Sequence, residues 1–180
     1  MTISPEPLFY PQSEAPANGD VVEIARGVLW VRFALPFQLN HINIFLIEDG
    51  DGWAVVDAGI NNAATKAAWE ALVAGPLKGR RLTRLIVTHF HPDHIGLAGW
   101  LCERFDMPMW TTQTSYLSTA NISLQPGALD AKPYRDFYLR HGLEEGTTNL
   151  VATQGHGYLR MVAPLPPTFQ RIVAGDHIMI

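Results

Sequence analysis

The segment Val87-Thr88-His89-Phe90-His91-Pro92-Asp93-His94-Ile95-Gly96 constrains this chain more than any other feature. Three histidines and an aspartate fall within six consecutive positions, between an apolar run that reads as a strand and another that reads as a helix. A chain of this composition produces His-x-His-x-Asp-His by chance roughly once in two thousand. A strand-to-helix loop that carries these four side chains belongs to an α/β unit. It also places them where the strand ends. Period-two alternation points His89 and His91 to one side of the sheet, whereas Asp93 and His94 come after the chain has turned and aim from a second direction. Imidazole and carboxylate together suit zinc, and also iron or manganese, better than calcium or magnesium. Two directions of approach suit two ions.

The flanking sequence agrees with that placement. Residues 1–20 contain Pro5, Pro7, Pro11 and Pro16 and read as an extended arm, which leaves residues 21–180 as the domain. Val28 to Phe33, Ile42 to Ile47 and Trp53 to Val56 read as strands, the last two joined by Asp-Gly pairs that signal a hairpin. Asn61 or Asn62 can cap a helix over Ala63 to Val73, which Gly75 and Pro76 end. Leu85 to Val87 and Met109 to Thr111 are further strands, with a helix from Ile95 to Phe105 between them. Beyond Thr112 the pattern is helical but weaker. Tyr134, Phe137 and Tyr138 share a helical face there and are expected in the core. Antiparallel strands followed by strand–helix–strand units indicate a mixed α/β fold.

Composition removes several function classes. Thirteen Lys and Arg stand against 17 Asp and Glu, a net charge of −4, and no basic stretch is present, so nucleic acid is not expected as a partner. A 47% hydrophobic content excludes a disordered chain. The single cysteine, Cys102, lies on an apolar helix face and reads as a buried small hydrophobe. With one cysteine no intramolecular disulfide forms, so a reducing compartment is expected. The N-terminal residues lack the basic and apolar regions of a secretory signal, and no apolar run spans a bilayer. A cytoplasmic protein without membrane contact is the resulting expectation.

Thr88-His89-Phe90-His91-Pro92-Asp93-His94-Ile95-Gly96 resembles the His-x-His-x-Asp-His signature of metallo-β-lactamase-fold hydrolases. Ala54-Val55-Val56-Asp57-Ala58-Gly59 resembles the first motif of the same family, a strand ending in aspartate and followed by glycine. The resemblance runs from about Val21 to Met109. It implies a four-layer αββα sandwich with a dinuclear metal site at the sheet edges. His89 and His91 would bind the first ion, and Asp93 and His94 the second. Asp57 would hold a ligand in place by hydrogen bonding. Two zinc ions (iron or manganese being the substitutes) would supply hydroxide at neutral pH for attack on a carbonyl or phosphoryl centre. Asp93 is the catalytic candidate that takes or passes on a proton. The function implied is a metal-dependent hydrolase of a small-molecule thioester, lactone or β-lactam-like substrate. The alternative is a truncated or degenerate, non-catalytic protein with a partial metal site.

A complete site in that family also needs a third histidine for the first ion, a bridging aspartate and a late histidine. The later candidates are His141, His156, His177, Asp130, Asp136 and Asp176. His156 and Asp176 fit the family spacing. However, Gly157-Tyr158-Leu159-Arg160 follows His156, and Pro164, Pro166 and Pro167 fall where the family runs two strands. Tyr158 to Arg171 is therefore expected to be a connection, with a strand opening at Ile178 and neither residue a ligand. The chain is expected to be the N-terminal portion of a longer hydrolase that lacks the second half of the sandwich; the partner expected is that missing C-terminal half or, alternatively, a further copy in a homo-oligomer. His41, in the loop between two strands, reads as a hairpin histidine.

Overall fold

The structure is a computed structural model that describes residues 9–180 apart from 10, 13 and 127–131, and all side chains there except those of residues 153–156. Thirteen elements follow one another: β1 (Val21–Ala25), β2 (Val28–Ala34), β3 (His41–Asp49), β4 (Gly52–Val56), α1 (Ala63–Ala74), β5 (Leu82–Ile86), α2 (Pro92–Ile95), α3 (Ala98–Phe105), β6 (Met109–Thr112), α4 (Gln113–Leu124), α5 (Lys132–Arg140), α6 (Glu145–Met161) and β7 (Gln170–Ile172).

The strands form one seven-stranded sheet in sequence order. β1 to β4 pair antiparallel, while β4 with β5, β5 with β6 and β6 with β7 pair parallel. Connection length explains the change. Short turns return a strand antiparallel, whereas helical crossovers such as α1 bring it back parallel. The mixed α/β expectation holds.

Large apolar side chains divide unequally between the two faces of this sheet. Val31, Phe33, Ile44, Leu46, Val55 and Leu85 are buried on one face, where α1 and α3 pack. Trp69 of α1 meets Phe33 edge-on at 5.3 Å. Its indole N–H donates to the Ala58 carbonyl at 2.8 Å, which fixes the loop that follows Asp57. Asn62 caps α1, its Oδ1 accepting the Thr65 N–H at 2.7 Å. The opposite face carries Val28, Trp30, Phe45, Val56, Ile86 and Trp110, all only partly buried. Parallel strands are ordinarily covered on both faces. One helical layer and one sheet layer are thus two of the four that an αββα sandwich implies.

Several local expectations need correction. The second helix does not start at Ile95: α2 begins at Pro92, ends at Ile95, and is followed by a separate α3. Proline at the first helical position explains the early start, since it needs no N–H partner there. The aromatic stripe is not core, because Tyr134 and Phe137 are each 52% exposed and α5 buries no residue. Phe137 instead stacks on His141, at 4.1 Å between ring centroids, within its own segment. Tyr158 to Met161 continues α6 rather than forming a connection, and the late strand is β7, not a strand at Ile178. Half of the proposed arm, residues 1–8, 10 and 13, lies outside the described residues, as does Asp130. No helix among the described residues is long and apolar enough to cross a membrane.

Candidate metal centre

Parallel pairing of β4 with β5 sets Val56 beside Ile86, so both strands end together at one sheet edge. The edge of C-terminal strand ends is where open α/β sheets bind ligands. Asp57 follows β4 and Thr88 follows β5. The ladder continues one step past the strands, with Asp57 N–H donating to the Ile86 carbonyl at 2.9 Å and Val87 N–H to Trp110 at 2.8 Å. Asp57 then takes a left-handed backbone, φ 68°. Aspartate tolerates that region better than most residues, though it still stores strain.

This turn aims the Asp57 carboxylate, which is 5% exposed, at Thr88 and His94. It accepts the Thr88 backbone N–H at 2.8 Å, the Thr88 hydroxyl at 2.9 Å and His94 Nδ1 at 2.8 Å. Because the Thr88 hydroxyl gives its only hydrogen to Asp57, it accepts from His89 Nδ1, 3.0 Å away. Nδ1 of both His89 and His94 is thus engaged, which leaves only Nε2 of each ring for any further partner. Orientation of a ligand histidine by a carboxylate behind it is a recurrent device of metal sites. Asp57 is hydrogen-bonded to His94, one of the four residues of the histidine motif. Thr88 was not anticipated as a functional residue, and the only sequence signal for it is its place directly before His89.

The structure brings His89, His91, Asp93 and His94 together. The His89 ring centroid lies 4.5 Å from that of His91 and 4.0 Å from that of His94. The cause differs from strand alternation, because β5 already ends at Ile86. His91 instead precedes the first turn of α2, and Asp93 and His94 stand within it. Tyr158 of α6 clips the loop from the far side, its hydroxyl donating to the Phe90 carbonyl at 2.7 Å.

The protonation pattern follows from the crowding. Burial and the neighbouring imidazoles of His94 and His91 push the His89 pKa down, which keeps it neutral and its lone pair free. For His94, burial lowers the pKa but is outweighed by the hydrogen bonds to Asp57 and Asp93, which push it up to about 9. Burial would raise the Asp93 pKa. The hydrogen bond and charge of His94, a backbone N–H and the charge of His91 together outweigh it, and the net shift is downward.

Asp93 Oδ2 and His94 Nε2 stand 3.3 Å apart. Two ligands of one tetrahedral zinc, each about 2.0–2.1 Å from the ion, are separated by about 3.3 Å. The donor types and this spacing fit zinc. Among the described residues, however, no group of three or more His, Cys, Asp or Glu side chains is gathered as one ion requires. Among the described side chains, Asp176 and His141 have partners away from the cluster. Asp176 closes its own turn by accepting the Val173 N–H at 2.9 Å, and His141 Nδ1 is bonded to the Phe137 carbonyl at 2.7 Å. His156 falls within α6, its side chain outside the described set. Cys102 is buried and its thiol is pushed up to about 12 by burial, in keeping with a small hydrophobe.

The chain is thus a mixed α/β domain that presents a histidine–aspartate cluster where its parallel strands end. Residues 38–167, more than half of the chain, match the metallo-beta-lactamase superfamily, and the chain belongs to that superfamily. A beta-lactamase domain protein from Burkholderia ambifaria, known from its crystal structure, is 36% identical with a TM-score of 0.79 over 95% of this chain and 49% of its own. A metallo-beta-lactamase family protein from Thermus thermophilus shares the fold at a TM-score of 0.65 and 21% identity, over 88% of this chain and 50% of its own. A Bacillus subtilis (strain 168) protein named "Probable metallo-hydrolase YybB" is 38% identical over 92 residues, 51% of this chain and 40% of that protein. The chain thus spans about half the length of these solved relatives and less than half of that curated one.

Proposed function

We propose that the chain provides the first metal-binding half of a metal-dependent hydrolase that acts on a small carbonyl substrate, a thioester, lactone or β-lactam-like compound. The observation that carries this reading is the Asp57–Thr88 pair behind His89 and His94, which engages Nδ1 of both imidazoles, so that an ion would take Nε2 of each, displacing on His94 the proton shared with Asp93. A structural loop has no need of such orientation. His89 and His91 would hold one ion, and Asp93 and His94 a second. When bound, zinc supplies Lewis acidity that makes hydroxide available near neutral pH and stabilises charge developing on the carbonyl oxygen. Asp93, held ionised by His94, is placed to accept a proton from the nucleophile and return it to the leaving group. The absence of a gathered three-ligand set among the described residues favours a second reading, a partial site without catalysis. The lone buried cysteine and the absence of a membrane-crossing helix among the described residues accord with a cytoplasmic setting.

Turnover separates the two readings. The zinc-loaded chain is assayed against chromogenic thioester, lactone and cephalosporin substrates. Hydrolysis of at least one, abolished by His89→Ala, is the expected result. Equal rates for the chain and for His89→Ala would remove the hydrolase reading for this chain.

A further inference from the structure

The β2–β3 hairpin opens at the same sheet edge as the histidine cluster. Phe45 of β3 stands opposite Val56, the last residue of β4, so the start of β3 at His41 extends past the end of β4. A cavity of about 350 Å³ lies there, with Asn18, Arg32, Phe33, Asn40 and His41 in its wall. No Asp or Glu lines it.

Three side chains in its wall carry donors that no described residue accepts. Asn18 uses its Oδ1 to accept the Ala34 N–H at 2.8 Å. Asn40 uses its own Oδ1 to accept from His41 Nδ1 at 2.6 Å. An amide oxygen cannot donate, so His41 carries its proton on Nδ1. Both amide NH2 groups are left over. Arg32, partly buried, has no side-chain hydrogen bond or ion pair among the described residues. A partly desolvated guanidinium without an acceptor is costly, and its planar fork matches an oxyanion.

We propose that this cavity is an anion subsite, in which Arg32 and the Asn18 and Asn40 amides receive the carboxylate or phosphate group of a small molecule. β2 and β3 lie two to three strand spacings from β5, so the bound anion sits roughly 10–15 Å along the edge from the strand that leads to His89. A substrate with its reacting carbonyl at the cluster and an anionic group at its other end spans that distance. This extension to substrate choice rests on the hydrolase reading; the subsite itself does not.

Inorganic phosphate and, separately, succinate are titrated into the metal-free full chain while the His41 ring signals are followed by NMR. A saturable shift with at least one anion is expected, its affinity weakened about tenfold or more by Arg32→Gln and unchanged by His89→Ala. Arg32→Lys, which keeps the charge but loses the fork, should fall between. The absence of a saturable shift overturns the subsite, as does a shift that survives Arg32→Gln or one that His89→Ala removes. With zinc loaded, Arg32→Gln should raise KM about tenfold for an ester carrying a remote carboxylate, leave its kcat in place, and leave a neutral ester unaffected. Saturable anion binding without turnover of either ester supports the subsite and counts against the hydrolase reading instead.

Discussion

Gly96→Ala is expected to destabilise the fold by about 3 kcal/mol, at the upper end of what an added methyl costs in a packed interior. A Cβ there would come within 3.0 Å of three backbone carbonyl oxygens, those of Pro92, Met161 and Gly59. Side chains can swing aside from such a methyl, but carbonyls held in a hydrogen-bond network cannot. The three belong to α2, to the end of α6 and to the loop after Asp57. Each is further tied to this junction: Ala163 N–H donates to the Gly96 carbonyl at 2.7 Å, Leu97 N–H to Gly59 at 2.9 Å and Ala58 N–H to His94 at 2.8 Å. Displacing any one of them also displaces the cluster. For a domain of this length the loss corresponds to a Tm lower by roughly 6–12 °C. Thermal and urea unfolding followed by circular dichroism measure it, and a midpoint equal to that of the parent chain would show that the three segments do not meet at Gly96.

Asp57→Asn should weaken zinc binding by about 10–100-fold, the usual loss when the carboxylate behind a ligand histidine is removed. Asparagine is close to isosteric, so the packing survives and the charge does not. The same substitution alters the metal-free chain in a defined direction. The His94 pKa stands at about 9 in the folded chain because its hydrogen bonds to Asp57 and Asp93 outweigh the effect of burial. An unfolded histidine titrates near 6.5. A folded-state pKa above the unfolded one gives stability that is complete below about pH 6.5 and is lost as pH rises through about 9. Metal-free parent protein should therefore lose stability between these values, and Asp57→Asn should lose less. Denaturant midpoints at several pH values, with NMR titration of the His94 ring, measure both effects. A His94 that titrates at the ordinary value in the parent chain would contradict the bonding pattern.

The parts of this site that could be read from the sequence are those whose spacing is local. His89, His91, Asp93 and His94 are fixed to one another by a few residues of chain, and Asp57 carries its own strand-to-glycine motif. Thr88 could not be read in the same way. Its role depends on a carboxylate 31 positions earlier that reaches it only through the parallel pairing of β4 with β5. Tyr158 is 68 positions from the carbonyl it holds, with several helices intervening. The aromatic stripe of α5 failed for another reason. Helical periodicity states which residues share a face, but not what that face packs against. The break between α2 and α3 falls beside Gly96, whose close neighbours at Met161 and Gly59 are tertiary contacts that leave no mark in the local pattern. The alternation of the strands was legible on one face as core. On the other face it shows apolar side chains that the described elements do not cover.

Equilibrium dialysis against zinc, with elemental analysis of the retained protein, decides whether the His-x-His-x-Asp-His loop binds metal. The parent chain and an Asp93→Ala/His94→Ala double variant are compared, with circular dichroism establishing that both are folded. The parent chain should retain zinc, and the double variant should retain distinctly less. A parent chain that emerges free of zinc, or a folded double variant that retains as much as the parent, would contradict the account.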